Sequence, residues 1–300
     1  MSHLPVSRHE VRRVYADLAD DVSAREQALA DVLPVDAAAG LSDSLWEVVD
    51  NWESGRKSLR TVPACNVYAC HSEQPLGDGL IRTLTGLDAT INLYDDIIDT
   101  RELSTRSKVA LTVNAALAGV LTTDGCPPAA KPAVTEALFD YFTTVFQIPP
   151  VERELLGEMA TVDSQRERRA AAERFYAYRS RDIDALARIP AAVLDVDDGA
   201  AQRLLEDLRT YRCRRLLFKD IRDVERHLAD GDTTPVLHLL QTADQTSDVV
   251  EAIEDLYARF TYSTSGQVVY GDVLMQLESP PEDLGNTVRQ ARESVLEPAR

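Results

Sequence analysis

The chain has 300 residues, 44% of them apolar and 6% aromatic, which suffices for one large core or two small ones. Its net charge is −18, from 50 acidic and 32 basic residues, and this excludes nucleic acid as a partner, because phosphate backbones need a basic surface. No run of about 18 apolar residues occurs, so no membrane-spanning helix is expected.

The basic residues are unevenly chosen. Only Lys57, Lys108, Lys131 and Lys219 are lysines; the rest are arginines. An acidic, lysine-poor surface is typical of halophilic proteins, which stay soluble where salt screens charge strongly. Cys65, Cys70, Cys126 and Cys213 form no C-x-x-C pair, and the five histidines have no ligand spacing. The first residues, "MSHLPVSRHEVRR", carry no apolar signal core, so a cytoplasmic location is expected.

Helical periodicity runs along the chain, with no alternating strand pattern. Residues 8–33 place Val11, Val14, Leu18, Val22, Leu29 and Val32 at helical intervals. Residues 41–55 open at Ser42, a candidate cap, and stack Leu45, Val48, Val49 and Trp52. Residues 77–99 set Leu80, Leu84, Leu87, Ile91, Tyr94 and Ile98 at steps of three and four, predicting a long buried helix. Residues 107–121 are apolar on nearly every side and predict a central helix. Further helical runs cover 131–146, 150–194, 200–231 and 246–277. The breaks are short clusters, "TTDGCPPAAKP", "QIPP", "DVDDGA", "DGDTTP" and "ESPPEDLGN", none long enough for an interdomain linker. One all-α domain over 1–300, of about ten helices, is the expectation.

The stretch "INLYDDIIDT" carries the chemistry. Asp95 and Asp99 lie one turn apart on a helix, with Asp96 about 100° round. Three carboxylates so close repel one another unless a cation intervenes. Mg²⁺ suits them, being hard, oxygen-seeking and accustomed to sharing its shell with substrate phosphates. The apolar residues Ile91, Tyr94 and Ile98 flank the triad at core spacing, which a solvated acidic face does not require.

D-D-x-x-D on an apolar helix, in an all-α chain of this size, resembles the class I isoprenoid synthases, closest to the trans-prenyl diphosphate synthases (polyprenyl and geranylgeranyl types). The resemblance implies a helical bundle around a central apolar cavity, with two acidic segments holding an allylic diphosphate through Mg²⁺ at its mouth. It implies a second acidic segment downstream. "LLFKDIRDVERHLADGDTTPVLHLL" supplies Asp220 and Asp223, then Gly231 and Pro235. It departs from the family in two places: Lys219 stands for the first aspartate, and Asp232 for the lysine of the following loop. It lacks the cyclase pattern, which needs an acid at His227 and a hydroxyl at Asp223.

The basic elements match less closely. "ESGRKSLRT" resembles the signature that grips isopentenyl diphosphate, with Arg56, Lys57 and Arg60 as candidates, a one-residue insertion, and Thr61 for a proline. Arg106 stands for an arginine that follows the first acidic motif. Arg181 and Asp182 occupy the family's K-T position, so Arg179 or Arg181 could contact diphosphate, as could Lys219. Thr90 and Ile91, one turn before Asp95, are the chain-length positions, and neither is large, so the resemblance implies a product of about twenty carbons or more.

The implied activity is a Mg²⁺-dependent prenyltransferase of isoprenoid biosynthesis, joining an allylic diphosphate to isopentenyl diphosphate. Asp95, Asp96, Asp99, Asp220 and Asp223 are its expected metal ligands, and a homodimer is its expected state. Two alternatives stand beside it. One is a class I terpene cyclase or lyase acting on one prenyl diphosphate. The other is a non-catalytic paralogue that partners an active synthase, suggested by Lys219.

Overall fold

A computed structural model describes residues 4–30, 41–50, 59–99, 128–129, 131–263, 270–278 and 280–296; for Leu93–Asp99, and for a few other helical residues, it describes the backbone alone. Every extended element among the described residues is helical, so the protein is all-α. In chain order these are α1 (Arg8–Ala30), α2 (Leu41–Asp50), α3 (Thr61–Ser72), α4 (Asp78–Asp99) and α5 (Lys131–Thr161). Then come α6 (Gln165–Arg179), a 3₁₀ turn (Ser180–Ile183), α7 (Asp184–Val193), α8 (Asp198–Arg222) and α9 (Val224–Asp230). The last are α10 (Pro235–Thr242), α11 (Thr246–Arg259), α12 (Tyr270–Glu278) and α13 (Leu284–Leu296).

The chain divides into two compact units. The first comprises Met1–Asp140 and Ala185–Ala201; the second comprises Tyr141–Asp184 and Gln202–Arg300.

In the first unit α1 packs on α2 and α4, and α3 packs on α4. Of the expected stripe of α1, Val11, Leu18 and Val22 are buried and Val14 is half-buried; Tyr15, outside that expectation, is buried as well, and α2 buries Leu45, Val48 and Val49. Each such side chain contributes about 1.5–3 kcal/mol by leaving water. Ser42, expected to cap α2, does something else. Its backbone N–H and its hydroxyl both donate to Glu26, which ties the first turn of α2 to α1. The helix α3 was not expected, because Thr61 through Ala69 are buried on every side and leave no apolar period to read. Tyr68 of α3 donates its hydroxyl to the Ala187 carbonyl at 2.6 Å, and Asn66 pairs with both backbone groups of Val6.

The second unit is built on a core of α6, α8, α10, α11 and α13, with Phe175, Tyr176, Leu216, Leu217, Leu239, Ile253 and Val288 inside. α6 starts with a reciprocal cap: Ser164 accepts from the Glu167 N–H at 3.2 Å and donates its hydroxyl to the Glu167 carboxylate at 2.6 Å. That cap splits the expected run 150–194, and the 3₁₀ turn splits it again. The expected break at "QIPP" is absent, since α5 continues through Pro149 and Pro150. The two prolines withdraw N–H donors from the helix ladder without ending it. The break at "DGDTTP" is present. Gly231 takes a left-handed φ of 68°, Thr234 caps α10 by accepting from the Leu237 N–H, and Pro235 fills the first helical position. Glu278 is fully buried in this unit. It is bound by Arg214, whose guanidinium lies between the rings of Tyr257 and Tyr262 at 4.5 and 4.6 Å. The helix expected over 107–121 lies outside the described residues.

Candidate functional site

The first acidic segment is the end of α4. Leu80, Leu84, Leu87 and Ile91 form its buried apolar side, as the spacing predicts. Beside that stripe runs a polar one. Asp88 and Asn92 are buried, and a helical step of 100° carries Asp95 and Asp99 round to the same side of the helix. Asp88 accepts from the Thr61 N–H at 3.1 Å, the Thr61 hydroxyl at 3.3 Å and the Arg60 guanidinium at 3.2 Å. Asn92 accepts from the same Arg60 nitrogen at 3.0 Å and donates to the Tyr15 hydroxyl at 2.9 Å. Burial, followed by the Asp88 charge, raises the Tyr15 pKa, so the phenol stays protonated. Sequence reading overlooked Asp88 and Asn92, although their intervals of seven and three residues before Asp95 continue the helical spacing of the triad.

Arg60 is therefore placed differently from the expectation. Its guanidinium was expected to face a diphosphate; it is turned inward, 2% exposed, and neutralises Asp88. Burying Asp88 requires a counter-charge, and Arg60 is ion-paired with it. Ile91 lies wholly within the core. Arg56, Lys57, Arg106 and the side chains of Thr90, Asp95, Asp96 and Asp99 lie outside the described residues.

The second acidic segment straddles the end of α8. Lys219 and Asp220 are in the last turn, and Asp223 is the joint before α9, with φ −94° and ψ 15°. Asp220 accepts from the Tyr176 hydroxyl of α6 at 2.7 Å. Burial raises its pKa; Arg179, the Tyr176 hydrogen bond, His227 and Lys219 all oppose that rise. Asp223 is occupied through both oxygens, by Arg222 at 2.8 Å and by Arg226 at 3.1 Å. Its partial burial is outweighed by those arginines, and its pKa is lowered.

Arg179 and Lys219 act on Asp220, and Arg212 in turn acts on Lys219. Arg179 pairs with Glu152 at 2.9 Å. Arg212 grips Asp182 with Nε at 2.9 Å and Nη2 at 2.6 Å. Lys219 is half-buried, and its pKa is lowered by burial first and by Arg179 and Arg212 next. Arg181 is exposed and lies 5.2 Å from the Tyr178 ring centroid. The expected diphosphate contacts Arg179, Arg181 and Lys219 thus belong to one unit, but only Arg179 and Lys219 share the Asp220 neighbourhood. Tyr176 is a site residue that sequence reading missed. Nothing in "RFYAYR" signals a partner 44 residues away.

Magnesium needs free oxygen ligands. At the second segment Asp220 is hydrogen-bonded to a phenol, Asp223 is spent on two guanidinium groups, and Lys219 offers an ammonium that cannot ligate a metal. These residues do not fit Mg²⁺, and we assign no metal to them. No group of three or more His, Cys, Asp or Glu side chains converges among the described residues. The first segment differs in kind, because an unbroken helix brings Asp95 and Asp99 onto one side, and three carboxylates are the right donor chemistry for Mg²⁺. No family model, no curated protein and no solved structure matches the chain.

Proposed function

We propose that the protein is a divergent class I isoprenoid synthase, a Mg²⁺-dependent prenyltransferase that joins an allylic diphosphate to isopentenyl diphosphate. The supporting observation is α4. It runs unbroken to Asp99, the helical spacing of the buried Asp88 and Asn92 continues to Asp95 and Asp99 of the D-D-x-x-D motif, and Leu80, Leu84, Leu87 and Ile91 form a buried apolar side.

In this reading Asp95, Asp96 and Asp99 hold the ion. Bound Mg²⁺ supplies the positive charge that stabilises a departing diphosphate. The chain's own contribution is a dry, apolar flank for the allylic cation and a fixed helix end for the carboxylates. The isopentenyl double bond attacks that cation, and the proton lost afterwards passes to a diphosphate oxygen. Arg56, Lys57 and Arg106 are the candidates for the second diphosphate; Arg60 is removed from that group because Asp88 holds it.

The same removal favours a second reading, a lyase or cyclase that binds one prenyl diphosphate. An assay separates the two. The protein is incubated in KCl and Mg²⁺ with geranyl, farnesyl or geranylgeranyl diphosphate, with and without isopentenyl diphosphate. Elongation that depends on isopentenyl diphosphate supports the synthase. A hydrocarbon or alcohol product without it supports the lyase. No turnover, with co-purification of an active synthase, supports a non-catalytic partner. Asp95→Ala combined with Asp99→Ala abolishes turnover in either enzymatic reading; retained turnover rejects the site.

A further inference from the structure

The first unit carries a groove that neither acidic segment uses. It opens between the head of α1 and the end of α2, with a volume of about 630 Å³, within the range of small-molecule sites. Its apolar lining is Ala16, Trp46 and Val49, of which Val49 is buried and the other two are half-buried. No other ring and no cation stacks on Trp46 among the described residues, and its indole N–H has no hydrogen-bond partner among them. The groove therefore presents an aromatic surface with one donor at its edge.

The polar lining is basic. Arg12 is held in place by its Nε, which donates to the Val49 carbonyl at 2.8 Å; a carbonyl is neutral, so this bond leaves the guanidinium charge intact. Arg13 is exposed and has no hydrogen bond or ion pair among the described residues. Ser7 caps α1 by accepting from the Glu10 N–H at 3.1 Å, which sets the positive end of a 23-residue helix at the groove. The sequence carries the same asymmetry. Residues 8–13, "RHEVRR", hold three arginines, a histidine and one acid, in a chain of net charge −18. Beyond them α1 reverses sign, with Asp17, Asp20, Asp21 and Glu26 against Arg25 alone.

That charge count selects the anion. Among the lining residues two guanidinium groups stand against one carboxylate, Glu10, which leaves a single positive charge. A monoanion balances it, whereas a phosphate dianion brings a second negative charge towards Glu10.

We propose that this groove binds a small aromatic carboxylate, with its ring against Trp46 and its carboxylate on Arg13. Arg12 and the head of α1 add positive charge behind it. The site belongs to the α1–α2 pair and does not depend on the prenyl reading of α4.

The test is calorimetric titration of the full chain with benzoate, 2-naphthoate and indole-3-acetate. The amide of 2-naphthoate serves as the uncharged match, and 2-naphthyl phosphate as the dianion. Binding of at least one carboxylate is expected, with the amide at least tenfold weaker and the phosphate no tighter. Raising KCl from about 0.1 M to about 1 M weakens the binding, because the Debye length falls from about 10 Å to about 3 Å. Arg13→Gln weakens it at least tenfold, and Arg13→Lys restores part of the loss. Trp46→Ala weakens it as well; should that variant fail to fold, the exposed Arg13→Gln and the amide comparison carry the test. Asp95→Ala with Asp99→Ala leaves the affinity unchanged, which separates the groove from the end of α4. No binding of any of the three carboxylates, equal binding of the amide, tighter binding of the phosphate, or an unaltered affinity in folded Arg13→Gln overturns the proposal.

Discussion

Asp182 and Arg212 meet at two points, the guanidinium Nε at 2.9 Å and Nη2 at 2.6 Å, with both side chains under 10% exposed. A buried pair of this kind resists removal of one partner, because the survivor is left as an unpaired interior charge. Arg212→Ala or Asp182→Ala should lower stability by about 3–5 kcal/mol. Arg212→Lys should also destabilise, since an ammonium cannot reproduce the two-point grip. Urea unfolding followed by circular dichroism checks both, and replacing the pair together by Met and Leu should cost less than either single loss.

Arg60 allows a sharper discrimination, because the sequence and the structure give it different roles. As a diphosphate contact, its loss would raise KM and leave the melting temperature alone. As the counter-charge of buried Asp88, its loss should cost about 3–5 kcal/mol of stability. Arg60→Ala is expected to show the second pattern, and Arg60→Ala combined with Asp88→Ala should recover part of the loss. A thermal melt of the single variant that matches the parent would return Arg60 to the surface role.

How much of this was legible beforehand follows from where each partner lies in the chain. The core of α4 is visible because Leu80, Leu84, Leu87 and Ile91 repeat within one helix, where spacing alone decides contact. The triad is visible for the same reason. Arg60 was misread because an arginine among polar residues carries no sign of an inward turn, and Asp88 sits 28 residues away. α3 gives no period, since burial on all sides erases it. Tyr176 and Asp220 meet only through the packing of α6 against α8, which no local pattern encodes. Ser42 has the composition of a cap, but Glu26 on a neighbouring helix outcompeted its own backbone for the hydroxyl. Lys219 is legible as a departure from the family pattern and as a candidate diphosphate contact, but its half-burial near Arg179 and Arg212 depends on the packing of separate helices.

Asp207 gives the second unit a pH dependence. It is fully buried on α8; one oxygen accepts from the Ser263 N–H at 2.6 Å and from the Ser263 hydroxyl at 2.8 Å, while the other has no hydrogen-bond partner among the described residues. Burial raises its pKa, Ser263 opposes the rise, and Glu206 adds to it. The folded state therefore binds this proton more tightly than the unfolded chain. Its contribution to stability falls as pH climbs from the ordinary carboxylate range through the raised value, and the loss is complete above it. Asp207→Asn removes the charge that carries this dependence. The stability of the variant relative to the parent should thus grow as pH is raised from about 4 and level off towards neutrality. Paired urea titrations across that range check it, and a pH-independent difference would rule out Asp207 as the source.

The cysteines test the packing of both units through their chemistry. The thiolate is the form that reacts, so a thiol held protonated by burial is slow to alkylate. Burial pushes the Cys213 thiol up to about 12, and its hydrogen lies towards the Tyr176 carbonyl, 3.4 Å from the sulfur. Cys65, on the fully buried side of α3, is shifted upwards as well, by burial first and then by Glu10 and Asp88. Cys70, one and a half turns later, is half-buried and shifted less. Iodoacetamide at pH 8, with peptide mapping by mass spectrometry, should label Cys70 well before Cys65 and Cys213. The latter two should react only at the rate of unfolding, and urea should bring them level with Cys70. Mapping also separates the peptide of Cys126, which lies outside the described residues. Labelling of Cys213 alongside Cys70 in the folded protein would mean that α8 does not present that face to α6, and the Tyr176–Asp220 contact that depends on the same packing would fall with it.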